Sequence, residues 1–193
     1  MKKMIVDMDD VITKTDYFVE LEKYAGKKLD RSYKGFHLEE LLGDHKKDFF
    51  DHFDEINFYN YATLMDDCYD VLKELSSKYR IYICSTFTWK DALEKSSTHL
   101  KNKYDYLYKN LPFINPNNYI FMTNKNLVKA DIRIDDKIEN LKNGKTKLLF
   151  TAWHNSDYSD EFLKSKNIIR VNNWQEIKKI LLGSNNNENW DNF

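Results

Sequence analysis

Short apolar runs that end in acids or hydroxyls recur along the chain. Met4–Val6 leads into Asp7, the run IYIC leads into Ser85 and Thr86, and Asp131–Ile134 leads into Asp135 and Asp136. Runs of this length bounded by polar residues predict buried strands. Further strands are predicted at Asn118–Phe121, after the turn-forming NPNN, and at Leu148–Phe150 and Ile168–Val171. Helical patterns lie between them. Tyr17, Phe18, Leu21 and Tyr24 share one helix face and predict a helix within 13–25. Asp66–Lys78, Trp89–Leu100, a stretch near Lys137–Lys142 closed by Asn143–Gly144, and Trp174–Leu182 also read as helices.

Residues 30–63 break the alternation. They are rich in charge and aromatics, among them Phe36, Phe49, Phe53 and Phe58, and predict short helices of a small subdomain. The last ten residues, SNNNENWDNF, form a polar tail expected to fray. Strands alternating with helices predict an α/β fold: a mainly parallel sheet with helices on both faces. Ligands of such sheets bind at the carboxyl ends of the strands, which is where the polar clusters fall.

Composition narrows the function classes. Lys plus Arg number 30 against 31 Asp plus Glu, a net charge of −1. That balance gives no electrostatic reason to expect polymeric nucleic acid or an anionic membrane as partner. The 41% of hydrophobic residues can build a core without disulfides. Cys68 and Cys84 form no CxxC pair and predict a reducing compartment. The apolar start ends at Asp7, too soon for a signal peptide, and no apolar run reaches the ~18 residues of a membrane span. These features predict a soluble, cytoplasmic protein. Nothing in the sequence decides between a monomer and a homodimer.

Four clusters carry candidate chemistry. Asp7 and Asp9 in DMDDV stand two apart at a strand end, so an extended chain points both carboxylates to one side. Their repulsion is relieved by a proton or a hard divalent cation such as Mg²⁺, and a carboxylate can attack phosphorus. A solvated turn is the plain alternative. Ser85 and Thr86 offer hydroxyls and N–H groups to phosphate oxygens, or else cap the next helix. Lys125 can neutralise a phosphate, and spacing alone does not choose it over Lys129. Asp135 and Asp136 are natural metal ligands, or else the acidic start of a helix.

Taken in order, carboxylate pair, hydroxyl, lysine and carboxylate pair resemble the motifs of the haloacid-dehalogenase phosphatase superfamily. DMDDV resembles the first motif, Ser85 the second, Lys125 the third and IDD the fourth. Within the superfamily the 5′(3′)-deoxyribonucleotidases are most similar, including their small bacterial members. KADIRIDDKIENL resembles their ADxLIDD segment, and Lys125 stands ten residues before Asp135, the family spacing, which favours it over Lys129. FTAWHN with VNNW resembles their C-terminal strand and loop. Asp10 departs from the pattern, since many members carry Gly there.

The resemblance implies a Rossmann-like core from residues 1–12 and 64–183, with residues 13–63 inserted as a small helical cap. It implies a Mg²⁺-dependent phosphomonoesterase acting on nucleoside monophosphates, with deoxyribonucleotides as substrates. Asp7 is then the nucleophile and Asp9 the general acid and base, protonated while Asp7 is ionised. Mg²⁺ is expected on Asp7, the Asp9 carbonyl and Asp136, with Asp135 behind them. Phosphate oxygens are expected on Ser85, Lys125 and the N–H groups near Asp10 and Thr86. Phe18, Tyr33, Phe36, His37 and Trp89 are candidates to stack on a base, or are simply cap core. Two alternatives stay open: a phosphatase of the same fold for another small phosphometabolite, and a receiver-like phospho-acceptor domain.

Overall fold

The computed structural model describes residues 1–183, so the polar tail lies outside the described residues. The strands are β1 (Lys2–Val6), β2 (Thr13–Thr15), β3 (Ala62–Leu64), β4 (Tyr79–Ser85), β5 (Tyr119–Phe121), β6 (Ala130–Asp135), β7 (Gly144–Phe150) and β8 (Ile169–Val171). The α-helices are α1 (Phe18–Ala25), α2 (Lys46–Asp51), α3 (Cys68–Leu75), α4 (Ser96–Asn110), α5 (Asp160–Ser165) and α6 (Trp174–Leu182). Six strands form one wholly parallel sheet in the order β5-β4-β1-β6-β7-β8.

β1 sits centrally because its apolar residues are covered on both faces. Met4 and Val6 pack with Val71, Leu72, Leu75 and Trp174, while Ile5 packs with Cys84 and Ala130. Register then fixes where the chemistry emerges. Val6 lies opposite Ile83 of β4 and Ile134 of β6. The next residues of β1 and β6 are Asp7 and Asp135, and β4 ends at Ser85, so all three leave the sheet at one edge. Trp174, fully buried, locks this edge from below: its indole N–H donates to the Val11 carbonyl at 2.9 Å.

The chain leaves the core and returns through β2 and β3, which pair antiparallel with Thr13 opposite Leu64 and Thr15 opposite Ala62. The segment between them builds a second apolar cluster around Leu21, Phe49, Phe53 and Phe58, against which Trp89 and Trp153 of the core pack. Within it, α1 ends at Gly26, whose φ of 62° is the left-handed conformation of a helix C-terminus. Among the described residues, no helix is long and apolar enough to cross a membrane.

Several local expectations are corrected. Residues 13–15 are a strand, not a helix; Thr13 and Thr15 are β-branched, and the helix starts at Phe18, whose N–H is taken by Asp16 at 3.2 Å. The helix expected at Trp89–Leu100 is a 3-10 stretch over Lys90–Lys95, broken at Ala92, followed by the longer α4. Residues 138–141 form a 3-10 turn, and Gly144 opens β7 rather than ending a helix. The short α5, with Ser159 accepting from the Phe162 N–H, was not foreseen because it buries only Leu163.

Trp174→Phe keeps most of the buried ring but strands the Val11 carbonyl. The expected cost is about 1–3 kcal/mol of unfolding free energy, measured by urea titration. A variant as stable as the parent would remove Trp174 as the lock on this edge.

Candidate active site

The edge of the sheet opens into a cavity of about 410 Å³ between the core and the second apolar cluster. Asp7, Asp9, Lys103, Lys125 and Asp136 line its core side. Asp7 is buried, and Lys125 Nζ lies 2.5 Å from its Oδ2 and 3.1 Å from Asp135 Oδ2. Lys129 is exposed, which leaves Lys125 as the lysine that meets the acids. The backbone around Lys125 is held by Arg133, itself buried on β6, which donates to the carbonyls of Lys125 and Asn140 at 2.6 Å each.

The two acids of the fourth motif have different surroundings. Asp135 is saturated by protein donors: Lys125 on Oδ2, and the Lys137 N–H at 3.0 Å and Asn140 at 2.9 Å on Oδ1. Asp136 shares Oδ2 with His154 Nε2 at 2.6 Å, and its carbonyl accepts from Asn155 at 2.8 Å. The FTAWHN segment therefore supplies the ring that orients Asp136 and the amide that ties it to Phe150. Carboxylate oxygens of Asp7, Asp135 and Asp136 lie within 4.8 Å of one another, all buried. Three buried carboxylates against one lysine and one histidine fit a hard divalent cation bound by oxygen. Asp7 and Asp136 have the capacity to take it, while Asp135 is engaged elsewhere.

Asp9 is held on every side. Tyr59 donates to its Oδ1 at 2.7 Å, and Lys103 donates to its Oδ2. Lys103, fully buried on α4, also donates to Ser85 Oγ at 2.7 Å. Ser85 is thus sealed beneath Asp9 rather than open to the cavity, and Thr86 lines the wall instead. Asp10 carries φ 58°, the left-handed conformation. That explains the preference for Gly at this position, and Asp is among the few other residues that tolerate it.

Sequence reasoning missed Lys103, Tyr59 and His154 as site residues. The signal for Lys103 existed: Ser96, His99, Lys103 and Leu107 are the buried positions of α4 and have helical spacing. Three of the four are polar, so no apolar stripe marked the helix. Among the expected base-stacking residues, Phe36, His37 and Trp89 line the cavity. Phe18 and Tyr33 do not: the Arg31 guanidinium covers the Phe18 ring at 4.9 Å, and Tyr17 takes its place on the wall.

The electrostatics reverse one expectation. Burial, reinforced by Asp135 and only partly offset by Lys125, pushes Asp7 up to about 6. Burial also acts to raise Asp9, but Lys103 and the Tyr59 hydroxyl outweigh it and bring Asp9 down to about 2. So the protein without cation or substrate holds Asp9 ionised and Asp7 as the readier proton acceptor, the opposite of the order first expected. His99, beside Lys103, is pushed down to about 3 by burial and that lysine, and is neutral.

A central parallel sheet with an acid pair, a lysine and a second acid pair at one edge is the arrangement that the resemblance to the haloacid-dehalogenase phosphatases implies. The comparisons refine this. The model of the family described as 5′ nucleotidase, deoxy (pyrimidine), cytosolic type C protein matches residues 2–186, and the chain belongs to that family. It is 33% identical over 192 residues to the 5′(3′)-deoxyribonucleotidase of Bacillus subtilis (strain 168), covering 94% of this chain and 100% of that one. The 5′(3′)-deoxyribonucleotidase of Bacillus phage SPbeta matches to the same extent, at 33% identity over the same shares of both chains. Among solved structures, a haloacid dehalogenase-like hydrolase from Streptococcus pneumoniae superposes with a TM-score of 0.56 at 16% identity, covering 93% of this chain and 98% of that one, and shares the fold.

The raised Asp7 has a measurable consequence. Without cation, the folded state keeps the Asp7 proton from about pH 4 to about 6 where the unfolded state has lost it, so stability falls as pH rises through that window. The cost above it is on the order of 3 kcal/mol. Asp7→Asn should therefore be the more stable protein by thermal denaturation in EDTA at about pH 7.5, with the gap closing toward about pH 4. An Asn variant that is no more stable at the higher pH would contradict the raised value.

Proposed function

We propose that this chain hydrolyses 2′-deoxyribonucleoside 5′- and 3′-monophosphates through an aspartyl-phosphate on Asp7, with Mg²⁺ as cofactor. The observation that carries the reading is the convergence of Asp7, Asp9, Lys125 and Asp136 on one face of a nucleotide-sized cavity with aromatic walls. Relatives named 5′(3′)-deoxyribonucleotidases support the choice of substrate. The segment 13–63 is the cap of this enzyme and encloses the base.

Asp7, the Asp9 carbonyl and Asp136 would hold Mg²⁺, which when bound offsets the charge of the phosphate and of the nucleophile. Lys125 neutralises Asp7 and draws the phosphoryl oxygens toward it. Asp7 attacks phosphorus in line as the bond to the nucleoside oxygen breaks. Asp9 must hand a proton to that oxygen, yet it rests ionised against Lys103. The incoming dianion resolves this by attracting the Lys103 ammonium. A buried carboxylate that loses its cation rises in pKa and takes up from solvent the proton it then donates. After departure of the nucleoside, Asp9 accepts a proton from the water that opens the aspartyl-phosphate. Ser85 accepts from Lys103 in the resting site and so holds it beside Asp9 until the dianion arrives.

Phosphate release from 5′- and 3′-nucleotides, deoxy and ribo, and from an aryl phosphate, with Mg²⁺ and with EDTA, tests the reading. Deoxynucleotides should be preferred, and EDTA should abolish release. Asp7→Asn should be inactive, and Asp9→Asn slower by about 10²–10⁴-fold. Wild-type turnover by the Asp7 variant ends the mechanism, and release from the aryl phosphate alone ends the nucleotide assignment.

A further inference from the structure

His99 lies on α4, one helical turn before Lys103, and is 5% exposed. Its ring packs among Phe53, Phe58 and Tyr59 of the inserted segment and Trp89 of the core, with centroids between 5.8 and 6.2 Å apart. Such a box suits another apolar ring. An imidazole buried in it carries one donor and one acceptor that call for partners. Among the described residues neither ring nitrogen has a hydrogen-bond partner. Nor are the nitrogens sealed: the side-chain polar atoms that are both shut off from solvent and unpartnered are Asn126 Oδ1 and Arg133 Nε. His99 lines the cavity, so the exposure its nitrogens keep is exposure to the cavity.

Contacts on the page place His99 beside Asp9. Tyr59, whose ring lies 5.9 Å from that of His99, donates to Asp9 Oδ1 at 2.7 Å, and Lys103 donates to Oδ2. In the proposed reaction Asp9 protonates the leaving nucleoside oxygen, so the sugar that carries this oxygen is the part of the substrate next to Asp9. We propose that His99 binds the deoxyribose by exchanging a hydrogen bond with its free hydroxyl, the 3′-OH of a 5′-monophosphate or the 5′-OH of a 3′-monophosphate. The inference rests on the deoxyribonucleotidase reading. A hydroxyl both donates and accepts, and so matches either nitrogen of a neutral imidazole. A phosphate oxygen only accepts, and the phosphate is already committed to Asp7 and Lys125. In both isomers the esterified carbon and the carbon with the free hydroxyl are bonded to the same C4′. One ring at a fixed offset from Asp9 therefore serves both.

The test is kcat/KM for thymidine 5′-monophosphate and 3′-deoxythymidine 5′-monophosphate, which differ only in the 3′-OH. The parent enzyme should favour the hydroxylated substrate by about 10–100-fold, because the analogue strips water from a buried imidazole without replacing its hydrogen bond. His99→Phe, which completes the aromatic box, should bring the ratio close to one; a thermal melt checks that the variant is folded. Equal kcat/KM for the two substrates in the parent, or an unchanged ratio in a folded His99→Phe protein, overturns the proposal while leaving the nucleotidase reading intact. The parent ratio needs no variant, and His99→Leu takes the place of His99→Phe if that protein fails to fold. Release from an aryl phosphate but from no nucleotide overturns both readings together.

Discussion

Lys125 is the charge on which the site depends. Its ammonium lies between Asp7 and Asp135, both buried, and among the described residues no other lysine or arginine pairs with either carboxylate. Two carboxylates brought that close in a low-dielectric interior would otherwise repel or protonate. The pairing works in both directions, since burial alone would lower the lysine and the two acids more than restore it. Everything that positions Lys125 therefore matters to the chemistry. Arg133 binds the Lys125 carbonyl from β6, the same strand whose end supplies Asp135, so one strand delivers the acid and anchors the base opposite it.

The residual mismatch is itself informative. Lys125 does not fully compensate its neighbours, and Asp7 remains raised to about 6. A perfectly balanced cluster would be more stable. Keeping excess negative charge beneath the cavity costs folding energy, which the Trp174 lock and the covered central strand offset elsewhere. Asp9 occupies the opposite condition. Lys103 overcompensates it, so its proton affinity depends on where that one ammonium points. The two acids of a single turn are thus tuned apart by different lysines, one from the loop after β5 and one from α4.

What could be read from the sequence follows from how each residue signals itself. The strands ending at Asp7, Ser85 and Asp135 were legible because they are apolar on both faces and stop at polar residues. Parallel topology then required those ends to meet. Lys125 became legible only through its spacing to Asp135, since an isolated lysine carries no signal. Lys103 was hidden because α4 buries polar residues: His99 and Lys103 occupy positions where a helix pattern expects Leu. Tyr59 was hidden for a different reason. It stands just before β3, a strand of three residues that exists only because β2 returns the chain beside it. Local propensity cannot report a pairing between residues about fifty apart.

That short ribbon also couples the two halves of the cavity. Tyr59 reaches Asp9 from the turn just before β3, and Asp9 lies three residues beyond the central strand. Glu39, His37 and Phe36 belong to the same inserted segment, which meets the core loops again where Trp153 donates to the Gly35 carbonyl and Lys137 lies 3.3 Å above the Phe36 ring. His154 completes the circuit, touching Phe36 on one side and Asp136 on the other. The inserted segment and the core are therefore joined by side chains at two points, one at each acid pair. Both acid pairs thus owe part of their orientation to contacts that lead back to the inserted segment.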